Sequence, residues 1–197
     1  MRRTMNLKRS VMLACGLVVV GTAAISEGRP RFYMEVRAVK EPPKTTPSLK
    51  ERGKAIFLSE LKKHPQVVTE LGDPPPSGPA LAKALKAKRL TGYGLVLRVT
   101  KASHSLNPPP KGKVYRVLMV EVSVAIDAEK IPSGQMALAG EGTSQVGTEV
   151  SRVKEKERVQ LTYEALTEAI RQAVDRSVAK LGGGTKKGKR RRSRRAR

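Results

Sequence analysis

The chain has 197 residues and a formal net charge of +23, with 40 lysines and arginines against 17 aspartates and glutamates, and a single cysteine. That charge points to an anionic partner, whether nucleic acid, a lipid or lipopolysaccharide surface, or an acidic polymer. One cysteine excludes an internal disulfide, and the absence of tryptophan beside only two phenylalanines argues against sequence-specific nucleic-acid recognition by base stacking.

Residues 1–26 read as a signal peptide. Arg2, Arg3, Lys8 and Arg9 form a basic opening, Val11 to Val20 is nearly continuous apolar sequence, and Ala24-Ile25-Ser26 offers the small residues a signal peptidase reads. The apolar run is shorter than the ~20 residues of a membrane-spanning helix, so cleavage near Ser26/Glu27 and export to the periplasm or the exterior are expected. Met12-Leu13-Ala14-Cys15 has the rough shape of a lipidation box, but only Ser10 and Val11 separate it from Arg9. The stretch from Arg2 to Lys8 loosely resembles a twin-arginine signal, but an ordinary basic opening is the better reading, since nothing downstream suggests a cofactor loaded before export. Removal of the signal takes Cys15 with it and leaves neither a disulfide nor a thiolate metal site.

Residues 27–47 hold a first strand, Arg31 to Lys40, with Phe32, Met34 and Ala38 on one side, followed by a linker from Glu41-Pro42-Pro43 to Pro47. The folded core is expected over 48–181. Ser48-Leu49-Lys50-Glu51 has the form of a capping box, opening a helix to about Lys63 whose apolar stripe is Leu49, Gly53, Ile56, Phe57 and Leu61. Gln66 to Leu71 is a brief strand. Pro74-Pro75-Pro76 is a rigid loop, and a helix from Ala80 to Lys88 buries Leu81, Ala84 and Leu85.

Period-2 alternation then runs through three segments: Tyr93, Leu95, Leu97 and Val99; Leu118 to Ile126; and Met136, Leu138 and on into Gly140 and Gly142. Ser105 to Gly112 and Asp127 to Gly134 are the reversals between them, so an antiparallel meander is expected. Thr143 to Arg158 has no clean period and reads as a loop. Leu166, Ala169, Ile170, Ala173, Val174, Ser177 and Leu181 then fall on one face of a helix from Leu161 to Leu181, and its alanines let the axis lie close on a sheet. There is no internal repeat. The fold class is mixed α/β in the order β-α-β-α-β-β-β-α, with the meander packed against the C-terminal helix in one domain.

This order, with Leu95-Val96-Leu97-Arg98-Val99, the strand Tyr115 to Ile126, Ser133-Gly134-Gln135 opening a strand into Gly140-Glu141-Gly142, and the helix Ala165 to Val174, resembles the small α/β domain that begins TolB. Curli secretion factor and penicillin-binding-protein activator lipoproteins are similar. The resemblance covers about 31–181 and implies a non-enzymatic envelope domain that binds protein partners. Departures are the missing propeller of TolB and the poorly placed lipidation box.

No catalytic, cofactor or metal residue is assigned. His64 closes a helix, where a structural role is expected. His104 is flanked by Ser103 and Ser105, which a strand turns to the opposite face, so the spacing makes no nucleophile and base pair. Gly140-Glu141-Gly142 and Gly182-Gly183-Gly184 lack the residues of a phosphate loop and read as a packing spot and a hinge. Residues 182–197 form a disordered tail in which Lys186, Lys187, Lys189, Arg190, Arg191, Arg192, Arg194, Arg195 and Arg197 are candidate polyanion contacts. Without these nine and the four basic residues of the signal, 27 remain against 17 acidic, a body charge of about +10. The leading expectation is an exported accessory domain for an envelope protein partner or anionic surface, with no small-molecule substrate. The rivals are a polyanion-binding protein acting through its tail, non-specific nucleic acid included, and an unidentified hydrolase.

Overall fold

Alternating apolar residues seek one buried face, and three such runs in succession close most economically as a meander. The computed structural model describes residues 31–43, 48–109, 111–112 and 114–183. Within them β1 (Phe32–Lys40), α1 (Lys50–Lys62), β2 (Val67–Val68), α2 (Gly78–Ala87), β3 (Thr91–Asn107), β4 (Arg116–Ile131), β5 (Met136–Val150) and α3 (Glu155–Gly183) follow in the expected order. They form one mixed α/β domain around a five-stranded sheet of order β2-β1-β3-β4-β5. β1 runs parallel to β2 and β3, while β3, β4 and β5 are antiparallel. The signal segment, Cys15 and the basic tail lie outside the described residues.

Helices α1 and α3 cover one face. Leu95, Leu97 and Val99 of β3 and the even-numbered residues of β4 from Leu118 to Ala128 are buried there with Leu49, Phe57 and Leu61 of α1 and the apolar stripe of α3. The α3 stripe is the one expected from the spacing, with Leu181 half-buried at its end. The helix presses hard on β5. A Cβ on Gly142 would fall on the Ala169 carbonyl, and one on Gly140 would come within 2.5 Å of the Ala173 carbonyl and the Ser177 hydroxyl. On the opposite face α2 makes a smaller cluster, with Leu81 and Leu85 against Tyr33, Leu71, Leu90 and Ile131.

Four expectations need correcting. First, β5 continues through residues 143–150 and α3 begins at Glu155, so the expected loop is mostly strand and helix. Second, both expected reversals start too early: β3 extends to Asn107, past Ser105, and β4 runs on through Asp127 to Ile131, each carried by pairing with the other. Third, a bulge between Val36 and Ala38 shifts the register of β1, so Val39 packs on the core where Ala38 was expected. Fourth, Ser48 and Glu51 do not form a capping box: the Leu49 amide donates to Glu41 at 2.7 Å and the Ser48 hydroxyl donates to the same carboxylate at 3.1 Å. The linker carboxylate thus satisfies the helix start in place of a local side chain.

Both limits of the described domain meet at one end. The Thr91 amide donates to the Arg31 carbonyl, Gly92 lies opposite Ile131, and α3 runs antiparallel to β5, with Ala169 over Gly142 and Ala173 over Gly140. Residues 31 and 183 therefore sit at the end that carries α2 and the β4–β5 turn. The β3–β4 turn and the start of α3 mark the other end. Helix α2 closes on Arg89 at φ 53°, a left-handed position that glycine fills more cheaply, by about 1 kcal/mol.

Candidate functional site

The sheet face opposite α1 and α3 is polar and carries a ladder of ion pairs. Glu121, Asp127 and Glu129 of β4 point outward at odd-numbered positions; the first two meet basic residues of the adjacent β3, and Glu129 meets Arg37, which reaches from β1 across Gly94 of β3. Arg98 donates to Asp127 through Nε at 2.6 Å and Nη2 at 3.0 Å, Lys101 donates to Glu121 at 2.7 Å, and Arg37 pairs with Glu129. The Asp127 carboxylate holds the Arg98 proton more tightly than usual. Solvated pairs of this kind contribute at most about 1 kcal/mol each, so their main effect is to fix strand register.

A second set of cations is not paired. Arg31, Lys83, Lys86, Arg89 and Lys130 have no ion-pair partner among the described residues, and all are exposed at the end where residues 31 and 183 lie. Lys83 and Lys86 project from α2 on the side away from Leu81 and Leu85, while Lys88 donates to the Leu71 carbonyl at 3.1 Å. The sequence holds the signal for this cluster in α2, where four basic residues fall between Leu81 and Leu90 with no acidic one. Only the strand order brings Arg31 and Lys130 beside them.

His64 lies 3.3 Å from Asp175 of α3 and ties the end of α1 to that helix. His104 sits on β3 opposite Val120, on the helix side of the sheet, with the Arg158 guanidinium 3.5 Å from its Nε2. Ser103 and Ser105 lie opposite Glu121 and Met119, on the outer side. The structure thus brings His104 to an arginine and does not bring it to either serine. An open groove of about 390 Å³ between α1 and α3 is lined by Arg52, Lys156, Gln160, Tyr163, Glu164 and Thr167, with the Arg52 guanidinium 5.7 Å above the Tyr163 ring. Among the described residues no group of three His, Cys, Asp or Glu side chains is placed to hold a metal ion, and no helix is long and apolar enough to cross a membrane. The nine basic tail residues from Lys186 to Arg197 lie outside the described residues.

On α3, Glu168 accepts from Arg171 at 2.6 and 2.9 Å and from Gln172 at 3.0 Å, which holds its carboxyl at about 2 against an ordinary 4.5. A depressed folded-state value means that the unfolded chain takes up the proton first. The contribution is therefore present above pH 4.5 and is lost as pH falls from 4.5 towards 2. Because the group is solvated, Glu168→Gln is expected to lower stability by less than about 1 kcal/mol at neutral pH. Urea unfolding at a series of pH values should show the two proteins converging by pH 2. A gap that does not change with pH would mean the pair contributes only through packing.

No family model matches the chain, and no curated protein matches it. Solved structures do match, bacterial lipoproteins among them. A minor lipoprotein from Acinetobacter baumannii is 10% identical at a TM-score of 0.40, over 76% of this chain and 94% of that one. The hypothetical protein CT253 from Chlamydia trachomatis is 6% identical at a TM-score of 0.42, over 78% and 96%. A PelC dodecamer from Paraburkholderia phytofirmans is 12% identical at a TM-score of 0.33, over 75% and 88%. At these values the functional reading rests on this chain's own residues.

Proposed function

We propose that this protein is an exported, non-enzymatic accessory domain of the cell envelope, which binds a protein partner through its folded body and an anionic surface through its basic residues. The observation that carries the proposal is the leader at 1–26, with Arg2, Arg3, Lys8 and Arg9 ahead of the apolar run and small residues at its end. Support for a binding role comes from the polar side chains of the open sheet face, which are engaged in ion pairs between strands, Arg98 and Thr100 bordering only an open hollow beside Lys40 and Glu41. The resemblance of β3, β4, β5 and α3 to the small domain of TolB belongs to the same reading.

Intact mass of the protein recovered from cell fractions tests it. The expected species begins near Glu27 and is found with the envelope or the medium. Recovery from the cytosol with Met1 to Ser26 still attached would overturn the proposal. The density of charge from Lys186 to Arg197 favours a second reading, a polyanion binder acting through its tail. Deleting those residues separates the two: partner binding that survives belongs to the domain, and binding that vanishes belongs to the tail.

A further inference from the structure

We infer that the α2 end of the folded domain is itself a docking surface for an anionic lipid bilayer, built from Lys83, Lys86 and Arg89 with Arg31 and Lys130 at its margin. The inference rests on the envelope reading above and adds the part of the domain that faces the membrane. Some cations of the domain are neutralised locally, as Arg98, Lys101 and Arg171 are by acidic partners. Lys83, Lys86 and Arg89 are not, and they stand together, exposed, on one short helix and the turn that ends it. Residues 71–90 contain one acid, Asp73, against Lys83, Lys86, Lys88 and Arg89.

Three further observations favour a bilayer as the occupant. Met136, 63% exposed, opens β5 at the same end, an apolar side chain near the cations as in interfacial binding. Arg89, in a left-handed backbone position just past α2, is exposed at this end with its amide bonded to the Lys86 carbonyl, which places the two charged residues on one turn. Residue 183, from which the chain continues into its basic C-terminal sequence, lies at this end, on the side proposed to face lipid. Nucleic acid fits less well, because the aromatic rings at this end, Phe32, Tyr33 and Tyr93, are buried or packed against the core and offer no free face for stacking on bases.

The test is co-sedimentation of the full chain with phosphatidylglycerol-containing and phosphatidylcholine vesicles, run on wild type and two triple variants of equal net charge. One variant carries Lys83→Gln, Lys86→Gln and Arg89→Gln; the other carries Lys111→Gln, Arg116→Gln and Arg152→Gln at the opposite end. Each basic residue near an anionic surface is worth roughly fivefold in partitioning, so the α2 triple is expected to lose on the order of a hundredfold on anionic vesicles and the control far less. Unchanged thermal unfolding of both variants shows that fold loss is not the cause. Equal losses in the two triples would overturn the inference by assigning the effect to net charge alone. Binding to a random DNA duplex that is tighter than to anionic vesicles, and equally sensitive to the α2 triple, would also overturn it by assigning the surface to nucleic acid. Either failure leaves the leader test untouched, since that one reads the protein's location and N-terminus.

Discussion

Gly142→Val is expected to destabilise the domain by about 3 kcal/mol or more, the upper range for overpacking, because the obstacle is backbone that no rotamer change can clear. The added Cβ would fall on the Ala169 carbonyl, with the Ala173 amide and the Ala169 carbonyl carbon each at 2.9 Å. Relief requires α3 to move off β5, and that movement loosens contacts along the whole strip from Gly142 to Ser177. Thermal unfolding measures the effect. Gly53→Ala on α1 is the matched control, since its nearest neighbour, Val39, lies at an ordinary 3.6 Å. That substitution removes glycine from a helix and is expected to stabilise by roughly 0.5–1 kcal/mol. Equal tolerance of both changes would show that α3 does not sit where it is described.

The second large effect is expected at Phe57, whose ring is fully buried in the main core. Phe57→Ala should cost about 3–5 kcal/mol, combining lost transfer free energy with the cavity left behind. A domain of this size has only about 5–15 kcal/mol to lose, and a chain with one cysteine has no internal disulfide to compensate. Urea unfolding should show a lower midpoint with an unchanged slope. A drop under about 1 kcal/mol would mean α1 is not seated on the sheet.

The element order, the meander and the buried stripe of α3 were legible because each is written as a long hydrophobic period. Where the sequence misled, the same close packing is the reason. Under α3 the buried positions of β5 are Gly140, Gly142 and Ser144, small residues that let the apolar alternation fade past Gly142, although Val150 is buried further along the strand. The first turns of α3, Glu155 to Gln160, carry charges on every side, so no stripe announces the helix before Leu161. Glu41 was read as linker and turned out to hold the start of α1, since a cap from outside the helix leaves no local spacing. Charges on α2 were visible, but their meeting with Arg31 depends on a parallel pairing of β1 with β3 that no short-range pattern encodes, and Lys130 joins them through the register of β4 on β3.

That pairing also bears on the order in which the molecule assembles. β3, β4, β5 and α3 are consecutive and join through short turns, so they can associate with little loop to close. β1 has no lasting place until β3 exists, although it is made first and lies inside the sheet. In a chain that leaves its ribosome or translocase N-terminus first, the earliest strand is thus the last to lock. Until it does, the β3 backbone from Thr91 to Arg98 is an open edge, and pulse-labelled amide exchange should find Met34 protected later than Val122.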